Sequence, residues 1–198
     1  LEKDGYDISM GLVDLVRLGV PQKRRRHIVL ASKTKRLRTI DQIVADSSIQ
    51  QRDLAWAIAD LVSINSMSLM DTPSKPSKDN LRRINYLFEN KLYDLPNNQR
   101  PPCHRDKKQS YNSVYGRLHW NKPSQTITSG FYSMCMGRYV HPENRRTLTA
   151  HEAARLQFFP DFFRFDAAGS RTAIAKLIAN AVPMKLTYAF TKEILGER

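Results

Sequence analysis

Cysteine is nearly absent: Cys103 and Cys135 are the two in 198 residues. Two thiols build no disulfide framework and match no zinc-ligand spacing, so a stapled secreted scaffold and a zinc module are both excluded from the expectation. A reducing, cytoplasmic setting is the default that follows. No apolar run approaches the ~20 residues of a membrane span. No basic start followed by an apolar stretch marks a signal peptide. The eight glycines are scattered, and none form a phosphate-cradling turn after a strand. Acidic residues are few, 19 against 32 lysines and arginines, which leaves a net charge of +13. Such an excess suits a polyanionic partner, nucleic acid before an anionic membrane, with a merely soluble basic surface as the plain alternative.

The hydrophobic share of 41% is enough for a core in one domain, or in one domain with a subdomain. The chain opens on Leu1 rather than methionine and reads as a fragment or as one subunit of a divided protein. Tyr6, Ile8, Met10 and Leu12 alternate at the strand period. Gly19-Val20-Pro21 breaks the chain, Gln22–Arg26 reads as a polar basic loop, and His27–Ala31 reads as a buried strand. Leu54, Ala57, Ile58, Leu61 and Val62 recur at helical spacing and predict an amphipathic helix over Gln51–Ile64. Ser77 is placed to cap a helix carrying Leu81, Ile84, Leu87 and Phe88 on one face. Thr126–Thr128 has strand propensity, and Tyr139–Pro142 reads as a short strand. The densest signal is Thr147–Pro183. Thr149 and Glu152 have capping-box spacing, Pro160 and Asp161 stop the helix, and five phenylalanines between 158 and 165 form an aromatic plug expected to be buried. A last helical segment starts near Arg171, breaks around Asn180–Pro183 and resumes.

Three blocks resemble the DNA cytosine-5 methyltransferases, in order along the chain. Gln22, Arg24 and Arg26 match a Q-x-R-x-R run preceded by G-x-P. Residues 117–128, RLHWNKPSQTIT, match an R-L-x-W-x-x-P-x-x-T-I-T run. Residues 149–161, TAHEAARLQFFPD, with IANAVP at 178–183, match the last block of the family. Ala179 stands where the family has glycine, and an alanine lacks glycine's close approach. Leu177 replaces a usual glutamine.

The resemblance implies an α/β fold: part of a Rossmann-like, S-adenosylmethionine-dependent methyltransferase domain with an inserted target recognition domain. Residues 1–32 and 147–198 would be two pieces of the large domain, and 33–146 the small one. It implies methyl transfer from S-adenosylmethionine to C5 of a cytosine flipped out of duplex DNA, in a restriction-modification setting. Arg26 would hold the O2 edge of the base, with Arg24 and Gln22 ordering the site and the DNA backbone. A guanidinium offers a planar fork of donors for either task. Asn180, Ala181 and Val182 would lie against the cofactor. DNA-backbone contacts would come from Arg24, Lys107, Lys108, Arg117, Ser124, Thr126, Thr128 and Ser133. Arg100, His104, Arg105 and Gln109 join the lysines as candidates on recognition loops. No metal is expected.

The family's nucleophile sits in a Pro-Cys-Gln loop before the glutamine–arginine block. Cys103 follows that block and precedes His104, so it reads as structural or incidental. Without that loop, a Glu-Asn-Val run or a glycine-rich first turn, the chain would be the C-terminal half of an enzyme, inactive alone. Its partners would be double-stranded DNA and an N-terminal half or upstream subunit, in the bacterial cytoplasm near the nucleoid. A non-catalytic DNA-binding protein and an RNA cytosine-5 methyltransferase remain the alternatives.

Overall fold

A computed structural model describes residues 1–64, 66–105 and 113–196. It is a mixed α/β molecule. Strand β1 (Asp7–Asp14) pairs antiparallel with β3 (Arg25–Ser32), from Asp7 opposite Ser32 to Asp14 opposite Arg25. Between them lie a 3-10 turn at Leu15–Leu18 and the two-residue strand β2 (Gln22–Lys23). Asp14 starts that turn by accepting the Val16 N–H. The block expected as a basic loop is therefore strand, with Arg24 as the joint between β2 and β3.

The alternation in β1 forms the expected strand, but its apolar side faces outward. Val13 is fully buried, whereas Met10 and Leu12 are 61% and 53% exposed. Val29, opposite Met10, is 53% exposed, so His27–Ala31 is a half-open strand and not the buried one expected. The ribbon's inner side is thin because Gly11 lets helix α1 (Ile40–Asp46) come very close. A Cβ on Gly11 would sit 2.9 Å from that of Ile40. Helix α1 begins with a capping box in which Thr39 and Gln42 exchange bonds.

Helix α2 (Leu54–Ile58) starts at Asp53 and runs into a 3-10 turn at Ala59–Leu61, shorter than the helix expected over Gln51–Ile64. Helix α3 (Lys78–Glu89) starts at Ser77, whose hydroxyl accepts the Asn80 N–H, and buries Ile84 and Leu87. One turn of helix, α4 (Pro102–Arg105), follows. Strand β4 (Ser124–Gln125) pairs parallel with β2 and ends there. Thr126–Thr128 is not strand, and Tyr139–Pro142 contributes single bridges from Val140 to Arg117 and Thr147. Helix α5 (Ala150–Leu156) has the predicted capping box, α6 (Arg171–Asn180) starts at Ser170, and α7 (Met184–Leu195) resumes after Pro183. Within the phenylalanine run Phe165 is buried, but Phe162 is 82% exposed, so the plug is only partly inside.

Three buried clusters hold these elements together. Ile40, Ile43 and Val44 of α1 pack with Val13, Leu30, Leu186 and Phe190. Helix α2 packs with α5, α6, Leu118, Ile127 and Tyr139. Ile84, Leu87, Leu95, Val114, Tyr115, Met134 and Val140 form a cluster of their own. These clusters do not divide at residues 33 and 146. Helices α1 and α2, expected in the small domain, pack on the two flanking segments, because their apolar faces meet β1, α7 and α5.

Candidate functional site

Gln22 is fully buried and links three segments of the chain. Its carbonyl oxygen accepts the Ile127 N–H at 3.0 Å. Its amide nitrogen donates to the Leu156 carbonyl at 3.1 Å and to Gln157 Oε1 at 3.0 Å. A buried amide must place its donors and acceptor inside the protein, and Gln22 does so across three segments. Arg24 does the same with charge: it donates to the Ile127 carbonyl at 3.2 Å and to the Ala179 carbonyl at 3.1 Å. Burial, and then the neighbouring Arg26, lower its pKa to about 10, so it is still a cation at neutral pH. Arg26 is half-buried, and its guanidinium donates to the adjacent Arg25 carbonyl at 2.9 Å.

Both segments meet at the end of α6. Pro183 has no N–H, so the Ala179 carbonyl cannot receive the usual bond from four residues on. Gln157 supplies the substitute: its amide nitrogen lies 2.6 Å from the Ile178 carbonyl and 3.2 Å from the Ala179 carbonyl. Arg24 adds a cation at the same helix C-terminus, where the helix dipole favours one. Past this cap the chain turns outward. Asn180 is exposed, Ala181 half-buried and Val182 56% exposed, beside Leu177 and Met184 at 54% and 50%.

Next to β2 and β4 lies an open cleft of about 550 Å³ lined by Lys23, Gln125, Thr126, Thr128, Ser129, Met136 and Tyr139. The far wall comes close because Gly137 has no side chain: a Cβ there would fall 2.3 Å from Gln125 Nε2. The threonine hydroxyls of the near wall are engaged. Thr126 donates to the Lys23 carbonyl at 2.8 Å. Tyr139 gives its proton to the Thr126 carbonyl at 2.8 Å, so the 3.0 Å contact between Thr128 and the Tyr139 oxygen has Thr128 as donor.

Two expected DNA contacts, Arg24 and Ser124, are corrected by this geometry, and the others among the described residues are engaged within the protein. Arg24 is 5% exposed and Ser124 1%; both are spent on main-chain carbonyls, Ser124 Oγ lying 3.2 Å from Pro21 O. Arg117 donates to the Pro142 carbonyl at 2.9 Å and stacks 4.1 Å over Phe88 and 4.9 Å over Tyr93. That makes it a clamp on α3 through its Nε–H and the face of its guanidinium. Thr126 and Thr128 line the cleft, but their hydroxyl protons are committed, which leaves them no proton for a phosphate. Ser133 lies 2.9 Å from Cys135. Arg100 donates to the Leu95 carbonyl at 3.1 Å, and His104 meets Tyr115 edge-on at 5.1 Å. Lys107, Lys108 and Gln109 lie outside the described residues. Gln157, Lys23 and Gln125 were not singled out from sequence. Gln157 sat inside a matched run, but nothing local marks a side chain as the cap of a distant helix.

In the first turn of α5 is a buried ionic group. Glu152 is 1% exposed and receives Arg146 twice, at 2.7 and 2.8 Å, together with the Thr149 N–H at 2.8 Å. His141 Nδ1 accepts the N–H groups of Glu143 and Asn144 at 3.0 and 2.9 Å. The ring proton is therefore on Nε2, 3.5 Å from Glu152. Burial lowers the pKa of His141 to about 4 despite that carboxylate. Among the described residues no cluster of His, Cys, Asp and Glu could hold a metal ion, and no helix is long and apolar enough to cross a membrane.

The model of the C-5 cytosine-specific DNA methylase family matches residues 1–196. Type II methyltransferase M1.BsuMI of Bacillus subtilis (strain 168) is 48% identical over 188 residues, covering 95% of this chain and 44% of that protein. Type II methylase M.HgiDII of Herpetosiphon aurantiacus is 32% identical over 201 residues, covering 98% of this chain and 57% of that protein. The chain thus spans about half the length of the curated relatives it matches. The S. pombe Dnmt2 methyltransferase superposes with a TM-score of 0.64 at 17% identity, covering 98% of this chain and 57% of that one, a likeness of fold.

Proposed function

The chain belongs to the C-5 cytosine-specific DNA methylase family, and from that premise we propose that it is the C-terminal, DNA-recognising part of a type II DNA cytosine-5 methyltransferase. The reaction is methyl transfer from S-adenosylmethionine to C5 of a cytosine turned out of duplex DNA. The observation that carries this is the convergence of three matched blocks. Arg24 bonds both the Thr126–Thr128 segment and the end of α6, and it is the immediate neighbour of the strand bearing Arg26.

Arg26 is the base-holding residue in this reading. It is half-buried, and a guanidinium fork suits the O2 carbonyl of cytosine. Arg24 and Gln22 order the site from inside, and the cleft along β2 and β4 faces DNA, with Lys23 and Ser133 near it and Lys107, Lys108 in the same recognition segment. The recognition lobe lies within residues 33–146, and the α3 cluster is its own core.

S-adenosylmethionine supplies the activated methyl group. The residues present fit one wall of its site: the α6–α7 turn offers the exposed Asn180 amide beside apolar Val182 and Met184. Asn180 would bind and Val182 would exclude water. The nucleophilic cysteine and the rest of the cofactor site belong to an N-terminal half. Met10, Leu12 and Val29 on the open side of the β1–β3 ribbon, with Tyr188 of α7 62% exposed, are the surface that half would cover. A cytoplasmic location near the nucleoid goes with that activity.

The test is tritiated methyl transfer to duplex DNA by this chain alone and by this chain with its N-terminal half. Activity in the mixture alone is the expected result, and transfer by the isolated chain would overturn the division. In the active mixture Arg26→Ala should lower transfer by about 10²-fold while duplex binding stays within about threefold. Equal losses would make Arg26 a phosphate contact.

A further inference from the structure

We infer that Gln157 is a positioning residue for the cofactor side of the site, acting through the end of α6. The inference rests on the proposed methyltransferase reading and goes beyond it in naming a residue and a direction of effect. Gln157 is 1% exposed and divides its amide between two tasks. Its oxygen accepts from Gln22 at 3.0 Å, and its nitrogen donates to the Ile178 and Ala179 carbonyls at 2.6 and 3.2 Å. The main chain cannot do the second task at Ala179, because residue 183 is proline.

The direction of the chain after Ala179 is therefore set from outside the helix. Asn180, Ala181 and Val182 follow directly, and Ala181 is already extended, with φ −61° and ψ 147°. Without the Gln157 donor, the Ile178 carbonyl loses its side-chain partner in a buried place and the Ala179 carbonyl keeps only Arg24, so the turn loses one of the two side chains that fix where it points. On the other side, Gln22 still holds the Ile127 N–H at 3.0 Å and the Leu156 carbonyl at 3.1 Å by itself, and Arg24 still holds the Ile127 carbonyl. The Thr126–Thr128 wall thus keeps its anchors when Gln157 is lost. A substitution at 157 acts on one ligand more than on the other.

The experiment uses the enzyme reconstituted from this chain and its N-terminal part, with S-adenosylmethionine and duplex DNA varied separately. Gln157→Met keeps the length of the side chain and removes both the donor and the acceptor. It should raise KM for S-adenosylmethionine about tenfold and KM for DNA less than about threefold, in line with the loss of one or two buried hydrogen bonds. Gln157→Glu keeps the acceptor that Gln22 uses and has no donor when ionised, so it should show the same split if the methionine variant does not fold. Gln22→Met, which frees Ile127, should show the opposite split. A lower melting temperature with both KM values unchanged, or with both raised equally, would make Gln157 a packing residue and overturn the inference. An unmodified enzyme without transfer would remove the methyltransferase reading and this inference with it.

Discussion

Removing the Glu152 carboxylate should be among the most damaging single changes in the chain. Glu152 closes the capping box of α5 and neutralises Arg146 in a place where both are mostly out of water, the two side chains being 1% and 17% exposed. Glu152→Ala would free the Thr149 N–H, a loss of about 1 kcal/mol for half of the reciprocal cap. It would also leave the Arg146 guanidinium without its two-point partner. Breaking a buried pair from one side costs about 3–5 kcal/mol, and the partial exposure of Arg146 puts this case at the lower end. The expected loss is about 4 kcal/mol in all. At a urea slope of about 2 kcal/mol/M this moves the unfolding midpoint down by about 2 M. Thr149→Ala, which removes the cap alone, should move it by about 0.5 M. Circular dichroism during urea titration of the same preparations measures both. A Glu152→Ala midpoint no lower than that of Thr149→Ala would refute the claim that the buried pair matters.

The neighbouring imidazole gives a pH signature. The folded state holds His141 at about 4 whereas the unfolded chain takes a proton near 6.5, so the unfolded state binds more protons between those values. Stability should be full above pH 6.5 and fall as the pH drops towards 4, at up to about 1.4 kcal/mol per pH unit. His141→Asn should flatten that part of the curve, and urea titrations at pH 7 and pH 5 compare the two proteins. At the cleft, Gly137→Ala puts a methyl group where Gln125 Nε2 and the Tyr139 ring already are, 2.3 and 2.6 Å away. It should cost about 1–3 kcal/mol by overpacking, read as a lower melting temperature, and weaken duplex binding in a fluorescence anisotropy titration.

What the sequence shows most clearly are its local signals. Thr149 with Glu152 and Ser77 before Lys78 gave two helix starts, because a cap is settled within four residues. Thr39 and Gln42 carry the same signature for α1 and could have been read in the same way. The orientation of β1 could not. Its alternation is real, but which side is covered depends on whatever lies against Met10 and Leu12, and Val13 turns inward towards α1 and α7 instead. The glutamine–arginine block was legible as a motif and its burial was not. Arg24 reads as a surface cation until Pro183 leaves the Ala179 carbonyl in need of a donor, 155 residues away. Thr126 and Thr128 likewise look like free hydroxyls, and only the approach of Tyr139 and Lys23 shows where their protons go.

The cap on α6 also sets an order of assembly. Gln157 closes it from 21 and 22 positions away, but Arg24 reaches Ala179 across 155 positions, and Gln22, which holds Gln157, lies 135 positions from it. Contacts of such separation form late, because the loop entropy must be met before they give anything back. Helix α6 and its Gln157 cap can form from nearby sequence, but the cap is complete only when the two ends of the chain have met. The Asn180–Val182 turn is thus among the last parts to take its final shape, and its order reports that the chain has folded from end to end.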